Sequence, residues 1–376
     1  MKVALVSFGF GEYCVRLANA MAKTAEILLV LPQQQLEPYG HFLNDTVLCP
    51  AWSAPRLRNP FGQVRRLRTI VREIKEFSPD ILHVQAVHPW FNSLGLPFLR
   101  RSPLVLTVHD YKFHPGDGPS RKTPQCIAQF TYKCANEIIV HSQYVKRQVI
   151  RDHPSFEPRI HVVPHIKLGE EPSLKRQSLR QEPTVLFFGR IWGYKGLEYL
   201  IRAEPIITSE VPGAKIIIAG QGEGFSRYRR IMAHPEHFEV YNEFISTSRC
   251  SELFLRASVV VLPYIEASQS GVIQLAYTFA KPVVITRVGG LPEMVEDGRT
   301  GVCVPARDEA ALATAIVRLL SNEALQRQLG ANGNRKINAE CSPDLVAERT
   351  MSVYRNALDE ATKNSCELIS RASNHC

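Results

Sequence analysis

No two of the nine cysteines stand at the two- to four-residue spacing of a zinc ligand pair. Their odd number and wide scatter (Cys14, Cys49, Cys126, Cys134, Cys250, Cys303, Cys341, Cys366, Cys376) argue for free thiols in a reducing compartment. No Asp-x-Asp metal motif occurs anywhere. Apolar runs are short: Ile27 to Leu31 and Val259 to Leu262 fall far below the ~18 residues of a membrane span. The N-terminal MKVALVSFGF is too short for a secretory signal, and a charge returns at Glu12 with no cleavage site after it. The expectation is a soluble cytoplasmic protein. With 45% hydrophobic and 22% charged residues, wholesale disorder is excluded. The 22 glycines and 25 prolines are too few for a collagen-like or low-complexity chain. At about 150 residues per domain, 376 residues suggest two domains, large enough to bury a core without staples.

What is present begins with charge. Lys and Arg number 45 against 36 Asp and Glu, leaving +9 and favouring an anionic partner: nucleotide, nucleic acid or acidic membrane face. Part of the excess lies between Arg56 and Lys75. There Val64, Leu67, Ile70, Val71 and Ile74 recur at helical spacing, with Arg65, Arg66, Arg68, Arg72 and Lys75 among them. This predicts an amphipathic helix with a solvated basic face, and peripheral attachment to a membrane surface is the competing reading. Nucleic acid is disfavoured, since no aromatic platform or recognised motif accompanies the charge.

The chain alternates strand and helix, twice over. Short apolar runs at Val3–Phe8, Ile27–Leu31, Ile81–Val84, Leu104–Val108, Ile138–Val140 and Ile160–Val163 read as strands buried on both faces of a parallel sheet. A polar stretch follows, and the pattern restarts at Thr184–Phe188, Lys215–Ala219, Val259–Leu262, Val283–Thr286 and Gly301–Val304. The predicted organisation is an α/β domain over residues 1–168, a linker at 169–182, and a second α/β domain over 183–342. A terminal helix over 343–361 and a polar tail at 362–376 complete it. In doubly wound folds of this kind, ligands sit at the carboxyl ends of the strands.

The chemistry-bearing residues stand at those strand ends. The first strand runs into Gly9-Phe10-Gly11, where two glycines admit a ligand close to the backbone and a helix N-terminus follows. The third glycine of G-x-G-x-x-G is absent, which argues against a dinucleotide enzyme. In the second half, TVLFF ends in Gly189-Arg190, with Lys195-Gly196 shortly after, so two cations are placed to hold a diphosphate. Glu266 lies just past the VVVL strand. The loop Ser268–Gly271 then opens a helix whose Ser270, Gly271 and Val272 N–H groups form a second anion cradle. Gln274 follows Glu266 after seven residues, inside the first turns of that helix.

These segments resemble the glycosyltransferase group 1 family, the retaining family 4 of the GT-B enzymes. The resemblance rests on FFGRIWGYKGLEYLIRA, IIIAGQGEG and the stretch from LPYIE to DGRTG, supported by DILHVQ, LVLTVHD, EIIVHSQYVK and HVVPH. It implies two doubly wound Rossmann-like domains facing across a cleft. It also implies that SPDLVAERTMSVYRNAL is a helix packing back on the first domain. By match, Arg190 and Lys195 neutralise the diphosphate of a nucleotide-sugar donor, and Ser270, Gly271 and Val272 offer amides to its distal phosphate. Glu266 is the first Glu of the Glu-x7-Glu motif and holds hydroxyls of the transferred sugar. The second Glu, the ribose ligand, is Gln274 here, so one acceptor oxygen and two donors replace a carboxylate. Glu243, Phe244 and Ile245 fall where the base edge is met, and His109 and the Gly9–Gly11 loop lie near the reacting bond. Glu293 matches a recurrent acidic position, with helix capping near Pro292 as its simplest account. The implied reaction needs no metal and no cofactor. It moves sugar from a nucleoside-diphosphate sugar to a sugar or lipid-linked acceptor, in envelope polysaccharide or glycoconjugate synthesis. A nucleotide-sugar epimerase of the same architecture and a non-catalytic nucleotide-binding partner are the alternatives.

Overall fold

A computed structural model describes residues 1–54, 58–112, 124–171, 182–222 and 224–373, with side chains as far as Lys363. It resolves into two units. One holds Met1–Tyr111, residues 124–166 and the C-terminal helix; the other runs from Lys167 to Cys341.

The first unit is built on six parallel strands: β1 (Lys2–Val6), β2 (Glu26–Val30), β3 (Ile81–Val84), β4 (Leu104–Val108), β5 (Glu137–Val140) and β6 (Ile160–Val162). Val3, Ala4, Leu5 and Val6 have no exposed surface, as strands covered by helices on both faces require. The strand order is β2-β1-β3-β4-β5-β6. The chain therefore leaves β1 to one side and returns to the other. The switch point thus falls at the carboxyl ends of β1 and β3, the position at which open α/β sheets bind ligands.

The basic helix spans Pro60–Phe77. Asn59 caps it by accepting from Gly62 N at 2.9 Å, and Pro60 stands in the first turn, where no N–H is needed. It thus starts later than its charge pattern suggests, and Arg56 lies outside the described residues. Leu67, Ile70 and Ile74 are buried; Val71 is half-buried and Val64 reaches the surface.

The helix Pro343–Ser373 belongs to this unit and packs on the Gly11–Met21 helix, β4 and β5. Val346, Tyr354 and Ala357 are fully buried on it. It continues through Ser373, so the stretch from Thr362 expected as a polar tail is helical to that point.

The second unit repeats the plan with β7 (Thr184–Phe188), β8 (Lys215–Ala219), β9 (Phe238–Tyr241), β10 (Val259–Leu262), β11 (Val283–Thr286) and β12 (Gly301–Val304). The order is β12-β11-β10-β7-β8-β9, again all parallel. Here β7 and β10 flank the switch point, in register through Val185–Val259 and Leu186–Val260. Strand β9 was not foreseen: it is an edge strand, half-buried along its length, and lacks the apolar run that marks the others. Of the expected linker, residues 172–181 lie outside the described residues. The chain just before it is already tied to the second unit, with Lys167 N donating to Cys341 O at 2.8 Å and Thr278 Oγ1 to Leu168 O at 2.6 Å.

Candidate functional site

At the switch point of the second unit, the turn after β7 and the segment after β10 meet. Lys195 ends a short turn, Gly193–Lys195, and Gly196 caps the Leu197–Glu210 helix in a left-handed conformation (φ 62°). A β-carbon at Gly196 would lie 2.0 Å from Pro263 O, so glycine alone lets the two segments touch there. Ile265 N donates to Tyr194 O at 2.8 Å and fastens them further.

Within this frame Lys195 is buried, only 8% exposed. Its Nζ donates to Tyr264 Oη at 2.9 Å and stands 4.8 Å from the centre of that ring. Tyr264 Oη in turn meets Ser270 Oγ at 3.4 Å. Ser270 caps the Gly271–Thr278 helix, its hydroxyl accepting from Val272 N at 3.3 Å. A desolvated ammonium and a helix N-terminus therefore share one hydroxyl chain, and both complement an anion. Arg190 is exposed, its guanidinium 4.0 Å above the Trp192 ring and held there by cation–π contact. Glu266 is half-buried two residues beyond Tyr264. Gln274 is buried; its Nε2 reaches Cys341 Sγ at 3.7 Å, while Oε1 has no partner. Among the described residues of this unit, that is the single buried side-chain polar atom left without a hydrogen bond. Leaving such a group unsatisfied costs about 1–3 kcal/mol, so it needs an explanation.

Phe244 and Ile245 follow β9. Phe244 is 79% exposed, an unusual state for so large an apolar side chain, while Ile245 packs against the core. Glu293 lies exposed in the first turn of the short Leu291–Met294 helix. The glycines before it act structurally: at Gly289 (φ 55°) a β-carbon would be 1.6 Å from Ala267 O, beside the Glu266 segment.

In the first unit the Gly9–Gly11 loop divides. Gly9 faces open space, and its carbonyl accepts from Ser7 Oγ at 2.5 Å. Gly11 is needed for packing, since a β-carbon would lie 2.1 Å from Gln35 O. Between them Phe10 adopts a left-handed conformation (φ 57°), strained for a non-glycine residue by roughly 1–2 kcal/mol. Its ring stacks on His109 at 3.8 Å.

His109 is buried and belongs to a network that the sequence did not reveal. His109 Nε2 meets Gln85 Oε1 at 3.3 Å, Gln85 Nε2 meets His83 Nε2 at 3.2 Å, and His83 Nδ1 meets Tyr354 Oη at 2.6 Å. With the Gln85 carbonyl facing His109, His109 Nε2 is the donor and Nδ1 keeps a lone pair. That Nδ1 has no partner. His141 donates from Nδ1 to Val163 O at 2.9 Å, which leaves its buried, unpartnered Nε2 as a second acceptor. The two rings lie 4.7 Å apart, with Tyr13 and His165 beside them. Burial holds all these imidazoles neutral: His83 and His141 are pushed down to about 3 and His165 to about 4. His109 is lowered well below its ordinary value by burial, and then by the neighbouring His141, His165 and His83. A pair of neutral acceptor nitrogens suits hydroxyl donors.

Comparison with known proteins bears on this arrangement. The family model "Glycosyltransferase Family 4" matches residues 9–166, and "Glycosyl transferases group 1" matches residues 182–322. The alpha-D-kanosaminyltransferase of Streptomyces kanamyceticus is 27% identical over 362 residues, 91% of each chain. A sucrose-phosphate synthase from Thermosynechococcus elongatus superposes with a TM-score of 0.71 at 18% identity, covering 96% of this chain and 100% of that one. The Anabaena protein HepE, in complex with UDP-glucose, gives 0.70 at 16% identity, with the same coverage. These likenesses show a two-domain Rossmann-like α/β fold of the GT-B type.

Proposed function

This chain belongs to the group 1 glycosyltransferases of the family 4 type, and from that premise we propose that it transfers a hexose-type sugar from a nucleoside-diphosphate donor with retention of anomeric configuration. The observation that carries the donor assignment is the buried Lys195, joined through Tyr264 to the capped N-terminus of the Gly271–Thr278 helix. Breaking the sugar–phosphate bond leaves negative charge on the departing diphosphate. Lys195, Arg190 and the N–H groups of Ser270, Gly271 and Val272 stabilise it by preorganised charge, without an ion carried by the protein. Glu266 holds hydroxyls of the transferred sugar, and Gln274 Oε1 takes its missing donor from a ribose hydroxyl. Phe244 and Ile245 meet the base. In the first unit, His109 accepts a hydroxyl at its unpartnered Nδ1, and Gly9 leaves the backbone open beside it. The acceptor hydroxyl attacks from the face that the diphosphate leaves, and its proton passes to the leaving phosphate. The similar fold of HepE, which is in complex with UDP-glucose, supports a nucleotide sugar as donor.

The test is to incubate the full chain with UDP-, GDP- and ADP-sugars and hydroxyl acceptors, following nucleoside diphosphate release and the product's anomeric signal. An α-linked product from an α-donor is expected. An inverted product would overturn retention. An isomerised nucleotide sugar formed without acceptor would mark an epimerase, and binding without turnover a non-catalytic partner.

The acceptor is proposed to be a lipid-linked or envelope glycan met at the cytoplasmic membrane face. A cavity of about 670 Å³ lies along the Pro60–Phe77 helix, lined by Val64, Leu67, Val71, Leu94 and Phe98 and edged by Arg68, Arg72 and Lys75. Phe98 in this lining is 66% exposed, and Phe61 in the first turn of the same helix is 88% exposed. Apolar rings within a basic face suit an anionic bilayer surface. No helix among the described residues is long and apolar enough to cross a membrane. Co-sedimentation with anionic but not neutral vesicles, abolished by Arg68→Glu with Arg72→Glu, is the expected result; equal sedimentation with neutral vesicles would contradict it.

A further inference from the structure

One cluster in the second unit takes no part in the proposed reaction. Glu204 sits on the Leu197–Glu210 helix with its side chain fully buried. A carboxylate there has lost its water and needs strong partners. Two histidines supply them from the turn before β9, and both present the same nitrogen. His237 Nδ1 lies 2.6 Å from Glu204 Oε1, and His234 Nδ1 lies 3.2 Å from Oε1 and 3.3 Å from Oε2. The short Pro235–His237 turn brings the His-x-x-His pair to one side. Thr208 Oγ1 lies 3.0 Å from the same Oε1 and orients the carboxylate from behind. The histidine side chains are 47% and 30% exposed, which opens a path from solvent.

We propose that Glu204, His234 and His237 bind a divalent transition-metal ion of the Zn²⁺ class, with water in a fourth position. One ligand atom from each residue lies within 4.8 Å of the other two. Bonds of about 2.0–2.2 Å at tetrahedral angles place neighbouring ligand atoms about 3.3 Å apart. The His234 contact already has that spacing. The His237 contact, now 2.6 Å, opens by roughly 0.7 Å when the ion replaces the proton between Nδ1 and the carboxylate, a shift the partly exposed side chain can make. Two imidazoles and one carboxylate select Zn²⁺, Co²⁺, Ni²⁺ or Cu²⁺ over Mg²⁺ and Ca²⁺, which prefer oxygen ligands. The ion would tie the turn leading into β9 to the helix that begins just after Lys195, so its effect falls on the stability of this unit.

The experiment uses the full chain, stripped of metal and titrated with Zn²⁺ by calorimetry, with thermal unfolding recorded in parallel. One ion per chain and a raised unfolding temperature are expected. His234→Ala and His237→Ala should each weaken binding by about tenfold or more, at least the loss that removing an outer-shell partner brings. Both remove partly exposed side chains and keep Glu204, whose own replacement endangers the fold. Co²⁺ should show the intense visible absorption of a low-coordinate site in the wild type and lose it in the variants. Zn²⁺ bound equally by wild type and both variants would place the ion elsewhere and overturn the assignment. The absence of stoichiometric binding would overturn it as well.

Discussion

Single side chains divide into those that spacing reveals and those that only packing reveals. Lys195 and Ser270 were legible because each follows an apolar strand at a fixed short distance and opens a helix. Tyr264, which joins them, carried no mark beyond being an aromatic residue after a strand. His83 and Gln85 were hidden differently: their only trace is two polar residues in ILHVQ, and their bonds to Tyr354 and His109 span the sequence. Gln274 is the sharpest case, because its unpartnered Oε1 is invisible in a sequence and specific in the fold. Gln274→Ala should weaken nucleoside-diphosphate binding by about one neutral hydrogen bond, roughly 0.5–1.5 kcal/mol. Glu266→Ala should instead depress sugar transfer and leave affinity for the bare diphosphate nearly intact. Titrating nucleoside diphosphate into both variants separates the two roles; the opposite pattern would reverse the assignments.

Elements were read best where burial is two-sided. Strands of continuous Val, Ile and Leu declared themselves, whereas β9 at the sheet edge did not. The Glu323–Glu340 helix also escaped, because it buries little beyond Leu329, Gly330, Gly333 and Ile337 and its remaining surface is polar. At the carboxyl ends of β4, β5 and β6 the fold collects His109, His141 and His165, with His83 beneath them, all buried. Their proton affinity is lower in the folded chain than in the unfolded one. Below about pH 6.5 the unfolded chain takes up protons that the folded chain excludes, so stability falls as pH falls towards about 4. Each histidine contributes up to about 1.4 kcal/mol per pH unit in that window. Carboxylates held low by partners, such as Glu239 and Glu296, lose their contribution only at more acid pH. The urea midpoint should therefore drop clearly between pH 7.5 and pH 5.5. An unchanged midpoint would mean that the imidazoles are wet.

For the whole molecule, a net charge of +9 favoured an anionic partner, and the repeated strand–helix alternation gave two doubly wound units, before any side chain was placed. The nucleotide base, the sugar and the acceptor were not legible, since backbone groups proposed to meet the base carry no residue code and the sugar and acceptor depend on pocket shape. With fixed cations and a helix N-terminus proposed to meet the leaving group, turnover should survive excess EDTA, and an ion at Glu204 would alter only the unfolding temperature. Complete loss of turnover on chelation, restored by Mn²⁺ or Mg²⁺, would contradict that division.

In the proposed reaction Lys195 and Arg190 together hold the donor's diphosphate. Calorimetric titration of UDP, GDP and ADP into the wild type, Lys195→Ala and Arg190→Ala tests it most directly. A hydrogen bond to a charged group is worth roughly 1.5–3 kcal/mol, so the best-binding nucleotide should lose about ten- to a hundredfold in affinity in each variant. The folds should stay intact by circular dichroism. If neither variant loses affinity, or if no nucleoside diphosphate binds the wild type at all, the diphosphate does not sit at this switch point.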